Sequence, residues 1–125
     1  MMKVLSWNSR GLGHPSKTIA LRDSINQETP EIILLQETKQ GDMEMKAIMD
    51  KMKHYGGTLS ESRGASGGLA ILWNHIIWNH KDTTKNQNWI KVTLENCRDQ
   101  KEIIVYNVYG PNHYRDKEIC WSSIK

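Results

Sequence analysis

The first feature of this sequence with chemical capacity is an acid that ends an apolar run. In IILLQETKQ, residues 32–40, Glu37 follows four consecutive apolar residues and a glutamine. Such a run, lacking helical period, suits a strand covered on both faces. Glu37 then falls where the strand leaves the core, and open α/β sheets place ligand chemistry at the carboxyl ends of strands. A carboxylate there serves as a metal ligand or a general base; a solvated strand end is the plain alternative. Asn8, in SWNSRGLG, ends an earlier strand-like run. An amide in that place bonds a carboxylate, a metal-bound water or a phosphate, or else supports the glycine turn that follows. In VYNVYGPN, alternation puts Tyr106, Val108 and Gly110 on one face and Asn107 and Tyr109 on the other, with Pro111 ending the run. Tyr109 and Asn112 stand at that strand exit, where a phenol and an amide can bond phosphate oxygens without adding charge; a half-buried edge tyrosine needs no ligand. The small residues of SRGASGGLAILW suit either a close backbone approach to a ligand or a flexible loop.

These residues need elements to hold them. Lys3 to Trp7 reads as a strand, GLGHPS as a turn, and Lys17 to Gln27 as a helix that Pro30 stops. After the strand Ile32 to Leu35, the positions of Met45, Ile48, Met49 and Met52 make one apolar stripe on a second helix. That stripe is expected to face the protein's own core. The pattern then turns β-like through GTLSES, GGLAILW, IIWN, NWIKVTLE and KEIIVYNVYG. NCRDQKE reads as a hairpin connection and HKDTTKNQN as an exposed loop. Mixed α and β layers are expected, with no linker or repeat.

Composition bounds the function. A chain of 125 residues fits one domain, and with no Phe its modest core must draw bulk from Trp and Met. A net charge of +3 permits a polyanionic partner without demanding one. Cys97 and Cys120 match no metal spacing and form no disulfide framework, so reduced thiols and an intracellular protein, nuclear or cytoplasmic and not secreted, are expected. No stretch approaches membrane-spanning length, so no membrane partner is expected.

Taken together, SWNSRGLG, LLQETK, GASGGLAILW and NVYGPN resemble, in order and context, the endonuclease/exonuclease/phosphatase superfamily. The nearest likeness is to the endonuclease domain of plant LINE-type (non-LTR) retrotransposons, relatives of apurinic/apyrimidinic endonucleases and DNase I. The resemblance runs from Lys3 to about Ile124, and HYRDKEICWSSI looks like the start of a helix. It implies an α+β fold: the N-terminal half of a four-layer α/β/β/α sandwich with its active site where strand ends meet. It further implies that Glu37 binds Mg²⁺ (or Mn²⁺), that Asn8 orients the metal site, that Tyr109 touches the scissile phosphate and that Asn112 supports that loop. Implied partners are the phosphate backbone of DNA, bound weakly, and a C-terminal half or reverse-transcriptase domain.

Family members continue with a Gly-Asp-Phe-Asn-like and then a Ser-Asp-His-like motif, and this sequence contains neither. None of His14, His54, His75, His80 and His113 follows a Ser-Asp pair. The chain 1–125 therefore reads as a single partial domain without its C-terminal half, a truncated and inactive endonuclease-like domain. The alternatives are a non-catalytic nucleic-acid or protein interaction module and a fragment of a phosphoinositide-phosphatase-type member. A half-sandwich is expected to leave one sheet without its packing partner.

Overall fold

A computed structural model describes residues 2–60, 67–86, 88–108 and 117–122, the last as backbone only. Eight strands and two helices follow one another as β1 (Met2–Asn8), α1 (Pro15–Glu28), β2 (Ile32–Gln36), α2 (Asp42–Met49), β3 (Tyr55–Ser60), β4 (Leu69–Asn74), β5 (Trp78–Lys85), β6 (Trp89–Asn96), β7 (Glu102–Val108) and β8 (Lys117–Ser122). They form a five-stranded sheet of order β3-β4-β2-β1-β8 and a three-stranded sheet of order β5-β6-β7. Among the described residues only β1 and β2 pair in parallel, and α1 is the crossover between them.

Period-2 alternation divides the apolar residues between two cores. Leu5, Ile33, Leu35 and Leu72 face Leu21 and Ile25 of α1 and Met45 and Ile48 of α2, so the helices cover one side of the large sheet. Ile32, Leu69, Ile71 and Trp73 point the other way, onto Trp78, Ile90, Val92 and Leu94 of the small sheet. β4 is buried on both faces because it lies between these two cores. Helix α1 starts at Pro15, whose missing N–H is no loss at the first helical position. The His14 ring caps it by accepting from the Ser16 N–H at 3.1 Å.

Four expectations from sequence change. HKDTTKNQN is not all loop: β5 runs through Lys85, and its residues are polar because it is an edge strand whose outer face meets solvent. Of IIWN, Ile76 and Ile77 belong to the turn 75–77 that leads into β5, and only Trp78 and Asn79 are strand. Residues 117–122 form a strand rather than a helix, paired antiparallel with β1 from Met2↔Ser122 to Trp7↔Lys117, which satisfies an edge of β1 otherwise left open. Nor does either sheet lack a partner; the two pack on each other.

Candidate active site at the strand ends

The parallel register of β1 and β2 sets Asn8 beside Gln36, so Glu37 is the first residue beyond the ladder. The Asn8 amide Nδ2 donates to Glu37 Oε2 at 2.5 Å, and the Arg10 N–H donates to Asn8 Oδ1 at 3.2 Å. Asn8 is buried while Glu37 is partly exposed, an arrangement that aims a carboxylate outward from a fixed amide.

The loops beyond the strand ends are laced to one another. Gly11 and Leu12 donate backbone bonds to the carbonyls of Glu37 (2.7 Å) and Thr38 (2.9 Å), and Thr38 and Lys39 donate to Gly68 (3.1 Å) and Gly67 (2.9 Å). The hydroxyl of buried Ser9 lies 3.2 Å from the carbonyls of both Gln36 and Glu37. Lys17 reaches from α1 to donate to the Ser9 carbonyl at 2.8 Å, with its ammonium 5.8 Å from the centre of the Trp7 ring. Three side chains here take the left-handed backbone that favours glycine: Arg10 at φ +52°, Glu37 at +50° and Lys39 at +54°. Non-glycine residues in that region cost on the order of 1 kcal/mol or more each and cluster at functional sites. The Thr38 hydroxyl, beside Glu37, is buried without a hydrogen-bond partner among the described residues.

A second polar device ties the small sheet to this end. Asn107, only 2% exposed, donates from Nδ2 to the carbonyls of Leu35 (2.9 Å) and Ala70 (2.8 Å). Its Oδ1 accepts from Gln36 Nε2 at 2.8 Å, and the same Gln36 amide lies 3.3 Å from the Ser6 hydroxyl. One amide on β7 thus holds the ends of β2 and β4 and the residue preceding Glu37. Sequence alternation places Asn107 on the inner face but does not reveal this role; the signal was a polar residue alternating with Val105 and Ile103 inside a strand.

Of the residues singled out from sequence, Asn8 and Glu37 come together. Tyr109 and Asn112 lie outside the described residues, as does His113. The described histidines have structural partners: His14 caps α1, His54 and His75 meet edge-on at 6.1 Å, and His80 stacks on Trp73 at 5.3 Å. Among the described residues no group of three or more His, Cys, Asp or Glu stands close enough to hold a metal ion. Glu37 is the carboxylate that the described strand ends offer to a cation, and a site of few protein carboxylates is one that Mg²⁺, which keeps several of its waters, can use.

The architecture has close counterparts. The human Nocturnin catalytic domain with bound sulfate superposes with a TM-score of 0.68 at 15% identity, over 84% of this chain and 48% of that one. A 3′ phosphatase from Neisseria bound to product DNA hairpin gives 0.68 at 19% identity, over 87% and 41%. An AP endonuclease from Archaeoglobus fulgidus gives 0.68 at 21% identity, over 89% and 42%. The chain thus spans less than half the length of each, and likeness at such identity establishes the fold: the expected α+β, partial DNase I-like sandwich. No curated protein sequence matches the chain. Residues 5–123, nearly the whole sequence, match the family model for the endonuclease/exonuclease/phosphatase family, and the chain belongs to that family.

Proposed function

We propose that this chain carries the metal-binding part of a Mg²⁺-dependent phosphodiester hydrolase of the DNA-nicking, LINE-type retroelement branch, and that by itself it does not turn over. The observation that carries the reading is the Asn8–Glu37 pair, held by a left-handed residue at the ends of two parallel strands. The sequences WNSRGLG and GASGGLAILW support the retroelement branch, and the similar 3′ phosphatase bound to product DNA supports a nucleic-acid phosphate as the ligand.

Glu37 would hold the cation and Asn8 would fix the carboxylate's direction by donating to one of its oxygens. Mg²⁺, when bound, supplies charge neutralisation for the phosphodiester and its leaving oxygen. Gln36, clamped by Asn107, prevents the strand end from twisting, so the carboxylate stays in place as charge develops. Tyr109 and Asn112 are assigned to phosphate contact and loop support. Absent are the Gly-Asp-Phe-Asn-like and Ser-Asp-His-like sequences, and with them the groups that orient or deprotonate the attacking water. Effects within one catalytic unit are not additive, so residues 1–125 without those groups are expected to show essentially no turnover.

Incubation of supercoiled plasmid with the purified 125-residue chain in Mg²⁺ or Mn²⁺ tests this. No nicking is expected. Robust nicking that vanishes in Glu37→Ala would show that another base is present and would end the inactive-domain reading.

A further inference from the structure

Helices α1 and α2 leave a cleft between them on the outside of the large sheet. Strands β1 and β2 are parallel and each helix begins beyond the end of one of them, so the two run side by side away from the strand ends. Seven residues along α1 from Pro15 stands Arg22, and seven residues on from Glu44 of α2 stands Lys51; both line one cavity of about 480 Å³. At a rise of 1.5 Å per residue such a face is roughly 10 Å long. Between its ends the lining is aliphatic: Ile19, 54% exposed on α1, faces the cavity with Ala47 and Ile48 of α2. Small-molecule sites have volumes of this order. The charge of the cleft is unbalanced. Neither the Arg22 guanidinium nor the Lys51 ammonium makes a hydrogen bond or an ion pair among the described residues. Glu44, the acid of the lining, folds back toward the start of its own helix, with Oε2 2.9 Å from where a β-carbon on Gly41 would stand. There, with Asp42, it answers the partial positive charge of the helix start and leaves the two cations uncompensated. No aromatic side chain among the described residues lines the cavity, so a nucleobase has no ring to stack on.

We propose that this interhelical cleft binds a single amphiphilic organic anion, an aliphatic chain ending in a phosphate monoester or a carboxylate. The anionic head sits between Arg22 and Lys51, where a guanidinium fork and an ammonium supply charge-assisted donors from opposite walls. The chain lies along Ile19, Ala47 and Ile48 and takes their apolar surface out of water. Head and tail each bind weakly alone, because two solvated cations hold an anion poorly and a short aliphatic wall is a small contact. Joined in one molecule they bind tightly, since holding one end raises the effective concentration of the other. Asn8 and Glu37 are not part of the lining, so the inference stands or falls independently of the metal reading.

The probe is octyl phosphate, titrated below its micellar concentration into the 125-residue chain, with amide NMR shifts as the readout. Shifts concentrated at residues 18–22 and 47–51 are expected, and octanoate should perturb the same amides. Affinity for octyl phosphate should be at least tenfold above that for inorganic phosphate and for octanol, which carry the head and the tail separately. Arg22→Gln and Lys51→Gln, both at exposed positions, should each weaken octyl phosphate at least threefold and leave octanol unchanged. Ala47→Trp, also at an exposed position, should fill the cleft and abolish binding of both, whereas Lys101→Gln, exposed in the β6–β7 hairpin, should change nothing. Vesicles of phosphatidylcholine and phosphatidic acid should not retain the protein, since the cleft takes one molecule and not a bilayer surface. Affinity no higher than for phosphate or octanol alone, shifts away from the two helices, indifference to all three cleft variants, or retention on the vesicles would each overturn the proposal.

Discussion

Glu37 occupies a backbone conformation that a carboxylate-bearing residue does not choose for stability. At φ +50° a Cβ is crowded by its own backbone, and glycine would sit there at no steric cost. Both Glu37→Gly and Glu37→Ala delete the bond from Asn8, so the difference between them isolates the strain. Glu37→Gly is expected to be more stable than Glu37→Ala by about 1 kcal/mol in urea denaturation. Equal stability would show that the backbone there is unstrained. Sequence made the position of Glu37 legible because an acid ending an apolar run is unusual. That Asn8 could bond a carboxylate was legible from its place at a strand end, and the resemblance pointed to the same site; the pairing itself needed the strand register, since the residues are 29 apart. The strain was invisible, because Glu carries none of glycine's tendency to mark a left-handed turn.

Among the elements, two polar contacts add to the ladders and the apolar core that hold the strands together. Asn107 is the only described β7 side chain that is fully polar and buried against β2 and β4. Asn107→Leu leaves two buried carbonyls and the Gln36 amide short of partners, so a loss on the order of 3 kcal/mol is expected in chemical denaturation. A loss under about 0.5 kcal/mol, the usual range of a surface change, would show that the clamp is idle. At the opposite end of the large sheet the Tyr55 hydroxyl donates to the Pro30 carbonyl, and burial followed by the nearby Glu31 carboxylate raises the phenol's pKa above its ordinary value of 10.0. The folded state thus holds this proton more tightly than the unfolded chain. The resulting stability is fully present below pH 10, the unfolded value, and is lost as pH rises through the higher folded one. Unfolding free energy measured from pH 9 upward should fall less steeply in Tyr55→Phe than in the wild type; identical slopes would remove Tyr55 as the cause. Strands with apolar alternation were legible in sequence. The polar strand β5 and the strand β8 were not, because an edge strand is stabilised by the neighbour it pairs with more than by its own composition.

Across the whole molecule, family membership and two sheets packed face to face agree with what the motifs implied, whereas among the described residues helices cover only the larger sheet. The uneven widths of the sheets were beyond sequence, which registers which residues are apolar but not which strand lies over which. Glu37 is proposed as the carboxylate of a metal site. The most direct measurement is calorimetric titration of Mn²⁺ into the folded wild type and Glu37→Gln, which keeps the side chain's size and removes its charge. Amide oxygens bind hard cations far more weakly than carboxylates do, so at least a tenfold loss of affinity is expected in the variant. Equal affinity in the two proteins would show that Glu37 does not bind the cation.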